Sequence, residues 1–350
     1  MPSQATIRVR QAVPQDLAAW QGFVDRTPDA GALHHAGWYE VLRDAYWVTP
    51  HFLMATDAGD DVVGILPLYH SRSPFTGSHI SSLEDGVLAS RADATRALLA
   101  EARALRDGVR ARYLQIRGGA IDEAAAITVP TVRTFIATNQ PADRLWAAIK
   151  KKTRWGIRQA EKQAVVVERD PDLHELEAFY RVYAAHLHAL GTPVTGLDAF
   201  RSLRNRLGRD RLRLYLVRYY GALVGGMLCI VNAGRWTDYY AIVRPLYDVE
   251  FANYLLYWHV IRDACSSGVP LFDMGRSTPD SNVHLFKRKW GGHDRETPYY
   301  FYPTPGMRVG DVGLQGLKQG RGLRQRIWSR LPLALCNSLG PLLRKQLPFI

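Results

Sequence analysis

The sequence predicts an α+β fold built from one α/β unit used twice. The first observation is a recurring order of elements. A strand pair with alternating apolar residues, HFLMATDAGDDVVGILPLYHS, turns at Gly-Asp-Asp, and RLRLYLVRYYGALVGGMLCIVN turns at a glycine. Val-Val-Gly at 62–64 corresponds to Leu-Val-Gly at 223–225, an offset of 161 residues. The second observation lies downstream of each pair. A long helical pattern comes next (RADATRALLAEARALRDGV, then DVEFANYLLYWHVIRDACSSGV), and after it a short strand ending near glycine, YLQIRGG and PLFDMGRS. Two such series imply duplication, with mixed sheets flanked by helices. The third is negative: no run of 18 uncharged apolar residues exists, so no spanning helix is expected.

Between the halves, Pro141 to about Gln163 reads as one helix. Pro141 suits its first turn and Asp143 complements the positive end of the dipole. Leu145, Trp146, Ile149, Ile157 and Ala160 form its apolar stripe. A second helix runs from Asp172 to about Leu190, where Gly191 and Pro193 end it. Domains are therefore expected at 1–140 and 141–305, with a basic amphipathic tail at 306–350.

Composition narrows the function. The 350 residues include 9 Trp and 17 Tyr, too much apolar surface for a disordered chain. Three dispersed cysteines make neither a disulfide framework nor a zinc motif, and MPSQATIRVRQAVPQDL lacks the apolar core of a signal peptide. The expectation is a cytoplasmic protein. Forty-five Lys and Arg against 33 Asp and Glu give +12, and the residues after Asp311 alone carry +7. Two further stretches are dense in bases: Lys150 to Lys162, and Arg201 to Arg218 with seven arginines. Such patches suit phosphate-bearing partners or an anionic membrane, or form solvated helix faces. The tail adds Leu323, Ile327, Trp328, Leu331 and Leu335 at roughly helical spacing, interrupted by Pro332 and Pro341. It reads either as a peripheral contact with an anionic membrane or as a segment packed on the domain.

Two motifs resemble a known family. KKTRWGIRQAEKQAVVVE is similar to the Arg-x-x-Ile-Arg-x-Ala-x-Lys-x-x-x-Val segment of the FemAB family. LFDMGRSTPDSNVHLFKRKWGG resembles its Phe-Asp-x-Gly-Arg-Ser-Thr and Phe-Lys-x-x-Trp-Gly signature. HHAGWYEVLRDAY and VVGILPLYHSRSPFTGSHISSLEDGVLA resemble its N-terminal half, and WSRLPLALCNSLGPLL the tail of its exosortase-associated subgroup. The resemblance implies two tandem GNAT-like domains with a cleft between them. It implies an acyl- or aminoacyltransferase acting on an amine of a cell-envelope, peptidoglycan or exopolysaccharide precursor. No resident cofactor follows from it. The activated donor is aminoacyl-tRNA, acyl-CoA or an acyl-carrier protein, and the acceptor bears phosphate. The usual Arg/Gln-x-x-Gly-x-Gly/Ala pyrophosphate loop is missing around Val231 to Tyr254, which favours tRNA or a carrier protein. An acyl-CoA- or carrier-dependent N-acyltransferase and a non-catalytic RNA- or membrane-docking module are the alternatives.

Candidate site residues follow from charge and place. Lys287 is expected to stabilise the oxyanion of acyl transfer, and the family comparison places a functional pair at Phe286 and Lys287. Asp273 and Arg276 flank a strand end, where α/β folds bind ligands, with Asp273 as the second catalytic candidate. Arg154, Arg158 and Lys162, four apart, share one helix face as a phosphate rail. Tyr239 and Tyr254 are expected to line the acceptor site, or else belong to the core. His284 is a weak base candidate, and no zinc or serine-hydrolase motif is present.

Overall fold

Apolar runs buried on both faces and tight turns build two hairpins. Strand β2 (Thr49–Thr56) returns as β3 (Val62–Ser73) through a turn with Asp60 at φ 63°, and Gly59 and Asp61 donate backbone N–H to Asp57 Oδ1. Strand β10 (Leu212–Tyr219) returns as β11 (Ala222–Asn232) through Tyr220 and Gly221, both at positive φ, the geometry of a two-residue hairpin loop. The coordinates are a computed structural model that describes residues 7–73, 77–119, 121, 127–232, 234–244, 251–306 and 321–345.

The chain forms two units. The first comprises Met1–Pro130, Gly191–Leu207 and Thr297–Ile350; the second comprises Thr131–Leu190 and Gly208–Glu296. The first sheet adds β1 (Arg8–Gln11), β4 (Gly77–Ser82), β5 (Leu88–Ala89), β6 (Tyr113–Arg117), β7 (Ile127–Val129) and β15 (Tyr299–Pro303). Its path is β1-β2-β3-β4-β6-β15-β7, with β5 beside β3. The second sheet runs β14-β8-β13-β12-β11-β10-β9, using β8 (Val132–Ala137), β9 (Val165–Asp170), β12 (Arg235–Val243), β13 (Leu271–Ser277) and β14 (His293–Glu296).

The two sheets share one plan. Four antiparallel strands lead to a crossover helix and a parallel strand: β4, α3 (Ala92–Gly108) and β6 in one, β12, α8 (Ala252–Ser266) and β13 in the other. An antiparallel strand then follows in each sheet, β15 before the edge strand β7 and β8 before the edge strand β14, and here the chain departs from expectation. β8 precedes the second series yet joins its sheet, and β15 follows that series yet pairs with β6. The boundaries expected at 140 and 305 therefore each misplace one strand. Periodicity marks a strand without saying which sheet edge accepts it.

Helix placement follows apolar spacing. Ala94, Leu98, Leu99 and Ala102 put one face of α3 onto Leu53, Leu66, Leu68, Ile80, Leu114 and Ile116. Each fully buried leucine contributes about 1.5–3 kcal/mol. In the second unit, α8 and α5 (Lys151–Lys162) cover one face of the sheet with Leu256, Val260, Ile157 and Ala160. The helix expected from 141 to 163 is two: α4 (Ala142–Ala148) stops at Ile149, whose extended backbone (φ −65°, ψ 137°) drops a buried side chain into the core before α5 begins. α6 (Leu176–Ala189) starts after Asp170 Oδ2 accepts from the Glu175 backbone N–H at 2.7 Å, four residues later than Asp172. Gly226, with no Cβ, makes room for Phe179 of α6 on the sheet's other face.

Two helices, Arg321–Arg330 and Leu333–Lys345, end the described chain. Pro332 separates them, but Pro341 sits inside the second helix instead of breaking it. Cys336 and Gly340 are buried, and a Cβ at Gly340 would stand 3.1 Å from Val194 Cγ1. Ile327, Leu333, Leu335, Leu339 and Leu342 stay 40–55% exposed. The tail thus packs by one face and shows leucines on the other. Lys318 lies outside the described residues.

Candidate active site in the second unit

The site begins where two parallel strands part. β12 and β13 register only through Arg235↔Leu271, Trp236↔Phe272 and Thr237↔Asp273. Beyond that point the β11–β12 ladder shifts, pairing Cys229 with Asp238 and Leu228 with Tyr240, so Tyr239 is the extra residue of a bulge. Bulges re-aim side chains, and divergence at the carboxyl ends of parallel strands opens a crevice.

Asp238 stands at this divergence. Its Oδ2 accepts a 2.5 Å hydrogen bond from Tyr257 Oη on α8. Burial pushes its carboxyl up to about 6, with the Tyr257 hydrogen bond and the Lys287 charge pulling the other way and Asp273 adding to the rise. The Tyr257 phenol is raised well above its usual range by burial and by the neighbouring carboxylate. A carboxyl titrating near neutrality beside a phenol is a competent proton acceptor. Neither residue was anticipated. The available signal was Asp238 as the one acid within the aromatic strand RWTDYYAIV.

Asp273, expected to be catalytic, is held inside the fold. It is 0% exposed, its Oδ2 accepts from Arg133 Nη1 at 3.1 Å, and its Oδ1 accepts from the Gly275 backbone N–H at 2.8 Å. In this structure burial closes the carboxylate off from solvent. Its partner is Arg133 on β8, which the sequence did not suggest, and not Arg276.

Lys287 is also largely committed. It ends the short helix α9 (Asn282–Lys287), is 5% exposed, and donates from Nζ to the carbonyls of Gly275 (2.8 Å) and Arg276 (3.0 Å). Gly275 is at φ 73°, and a Cβ there would come within 3.3 Å of the Asp238 carbonyl oxygen. The ammonium therefore fixes the irregular stretch of β13 beside Asp238. Arg276, half-buried, belongs to that same stretch, where the register with β8 shifts.

Phe286 and Tyr254 converge with Tyr257 and Trp290. Phe286 lies 5.4 Å from Tyr254, 5.1 Å from Tyr257 and 6.0 Å from Trp290 between ring centroids. Tyr254 Oη accepts from Lys289 Nζ at 2.9 Å. Tyr239, half-buried, packs on Tyr240 at 4.4 Å between ring centroids. His284 is buried, accepting from the Asp280 backbone N–H on Nδ1 and facing Asp294 Oδ2 at 2.9 Å, so its proton sits on Nε2 and its role is to hold α9.

The basic rail changes composition. On α5, Arg154 is half-buried, while Lys151, Arg158 and Lys162 are exposed. With Trp155, 50% exposed, they form one stripe at intervals of four, three and four residues. The Arg158 guanidinium also lies 5.7 Å from the centroid of Trp146. The arginine-rich stretch after Arg201 is different. Arg206 pairs with Glu40 and Asp44, Arg209 with Asp172, and Arg218 with Glu168 and Glu175, so much of its charge is closed internally. Among the described residues, no group of three or more His, Cys, Asp or Glu is placed to hold a metal ion, and no helix is long and apolar enough to cross a membrane.

Residues 147–288 match the family described as Acetyltransferase (GNAT) domain, a range that contains Asp238, Tyr257, Asp273 and Lys287. No curated protein sequence matches the chain. Among solved structures, FemX superimposes with a TM-score of 0.63 at 15% identity, covering 85% of this chain and 97% of FemX. The C-terminal domain of a putative lysylphosphatidylglycerol synthetase from Agrobacterium fabrum gives 0.56 at 11% identity, covering 83% and 92%. A tandem GNAT protein from the clavulanic acid biosynthesis pathway gives 0.51 at 15% identity, covering 87% and 100%. The chain therefore shares the fold of FemX and of a tandem GNAT protein, and its residues 147–288 carry a GNAT acetyltransferase domain.

Proposed function

We propose that the second unit transfers an activated acyl or aminoacyl group to an amine, with Asp238 as the proton acceptor. The observation that carries this is the Asp238–Tyr257 pair at the divergence of β12 and β13. The amine nitrogen attacks the carbonyl carbon, the new C–N bond forms, and the ester or thioester bond breaks. Asp238 takes the amine proton and returns it to the departing oxygen or sulfur, and Tyr257 orients the carboxylate by its hydrogen bond. Lys287 positions the Gly275–Arg276 stretch of β13 next to that centre.

The donor we favour is aminoacyl-tRNA, with acyl-CoA or an acyl-carrier protein as the second choice. The exposed Lys151, Trp155, Arg158 and Lys162 stripe supports it, because bases beside an exposed indole suit phosphate backbone and stacked bases. The acceptor in this reading is a phosphate-bearing precursor of the cell envelope or of an exopolysaccharide. Among the relatives, FemX and the synthetase named for lysylphosphatidylglycerol are consistent with that direction.

The test uses transfer from a charged-tRNA mixture and from acetyl-CoA to an amino-sugar phosphate across pH. The proton acceptor is the carboxylate form, so the rate is present above about 6 and falls as pH drops through that value. Asp238→Asn should lose about 10²–10⁴-fold in turnover together with the acid limb. A variant with wild-type rate and an unchanged profile removes Asp238 from the mechanism.

The C-terminal helices extend the proposal to a site of action at an anionic membrane face. Their exposed leucines lie near exposed Arg326 and Arg330. Co-sedimentation with phosphatidylglycerol vesicles should fall as salt rises and disappear when residues from Gly322 onward are removed. Unchanged sedimentation of the truncated chain assigns the leucines to other contacts.

A further inference from the structure

The first unit carries a polar row that the proposed chemistry does not use. It lies on the sheet face opposite α3. His79 of β4 stacks on Tyr113 of β6 at 5.0 Å and 9°. Next along the face, Ser81 Oγ donates to Gln115 Oε1 at 3.1 Å, and Arg117 Nη2 donates to the same oxygen at 3.1 Å. Arg117 lies 5.6 Å from the centroid of Tyr299, on β15. From Tyr113 to Arg117 is four residues of one strand, so the row extends about 13 Å.

Two features distinguish this row from ordinary core. Arg117 is 2% exposed and makes no ion pair among the described residues; its Nε has no hydrogen-bond partner there. Burial works against its charge, and the surrounding Tyr69, Tyr299, Glu84 and Tyr113 outweigh that effect, so the guanidinium stays charged; Glu84 itself accepts from Tyr299 Oη at 3.1 Å. His79 is 0% exposed, and among the described residues its ring meets the Gly77 backbone in a contact that falls short of a full hydrogen bond. Its imidazole is pushed down to about 4 by burial first and the Arg117 charge second, so it stays neutral and is able both to donate and to accept. Buried polar atoms are nearly always satisfied, and a buried cation is normally paired. Here a forked cation and a neutral imidazole mark the two ends of one aromatic-walled row.

We propose that this row is an oxyanion-binding site of the first unit, with Arg117 holding a phosphate or carboxylate group in its fork and His79 meeting a polar group farther along the same ligand. The site is separate from the centre at Asp238, and its test does not depend on transferase activity.

The experiment labels arginine with 15N in the full chain and follows the buried Nε–H signal, assigned by its loss in Arg117→Lys. Inorganic phosphate and acetate are titrated separately. A saturable shift with phosphate alone makes the ligand group a phosphate, with acetate alone a carboxylate, and with both an oxyanion of either kind; each result supports the site. Gln115→Glu supplies an internal carboxylate next to Arg117 and should weaken the response at least tenfold. Absence of any shift with either anion overturns the proposal, as does a Gln115→Glu protein that binds like wild type. If Gln115→Glu does not fold, the titration of the unsubstituted chain still decides.

Discussion

Both sheets bury guanidinium groups, and Arg133 of the second faces a carboxylate where Arg117 of the first faces an amide. Asp273 and Gln115 hold equivalent positions: each is the third residue of the strand after the crossover helix, and each registers with a hydroxyl residue, Thr237 or Ser81. In the second unit Asp273 meets Arg133, and both are at or below 5% exposure. In the first, Gln115 meets Arg117 through one amide oxygen. The same backbone plan therefore closes a charge pair in one place and leaves a cation for a ligand in the other. A single difference between carboxylate and amide separates a structural strut from a candidate binding site.

The largest test removes the closed pair. Asp273→Asn keeps the shape and deletes the charge opposite Arg133. Breaking a buried pair from one side typically costs about 3–5 kcal/mol, because the remaining charge is left in a poorly solvated place. Urea denaturation should show a loss of that order. A loss below about 1 kcal/mol means that Arg133 is solvated or otherwise compensated, and the contrast with Arg117 fails.

Lys287→Met comes next. It leaves the Gly275 and Arg276 carbonyls without their ammonium donor, and hydrogen bonds to a charged group are worth about 1.5–3 kcal/mol each. We expect destabilisation of about 2–3 kcal/mol, less than two full bonds because the stretch relaxes, together with a fall in turnover. Unchanged stability with collapsed turnover would return Lys287 to the oxyanion role that its place in the motif suggested.

The duplicated plan was legible because it rests on local properties: apolar runs broken by turns in β2, β3, β10 and β11 and helical spacing in α3 and α8. The places of β8 and β15 were not, because they find their partners through contacts distant in the chain. The site was half legible. Lys287, Arg276, Phe286 and Tyr254 stood in or near recognisable motifs and come together in the second unit around one stretch of β13 and one aromatic group. Their roles were not legible, since whether a lysine faces a substrate or two carbonyls depends on the backbone at Gly275. Asp238 escaped because alternation alone gives an acid in a strand no partner, and it is Tyr257, nineteen residues on, that defines it.

The smallest expected effect is the sharpest test of the contrast, Arg117→Met in anion-free buffer. The substitution removes a charge whose burial costs energy and inserts an unbranched apolar chain of similar length beneath Tyr299. Gln115 keeps a partner, because Ser81 Oγ still donates to its Oε1. No carboxylate among the described residues loses an ion-pair partner, in direct opposition to Asp273→Asn. Replacing a buried charge by a well-packed apolar group is often neutral or stabilising, so the stability change should stay within about 1 kcal/mol of zero. Chemical denaturation of the two variants in parallel decides the matter. If Arg117→Met costs as much as Asp273→Asn, the first unit depends on its guanidinium for folding, and the two sheets have solved the burial of a cation in the same way.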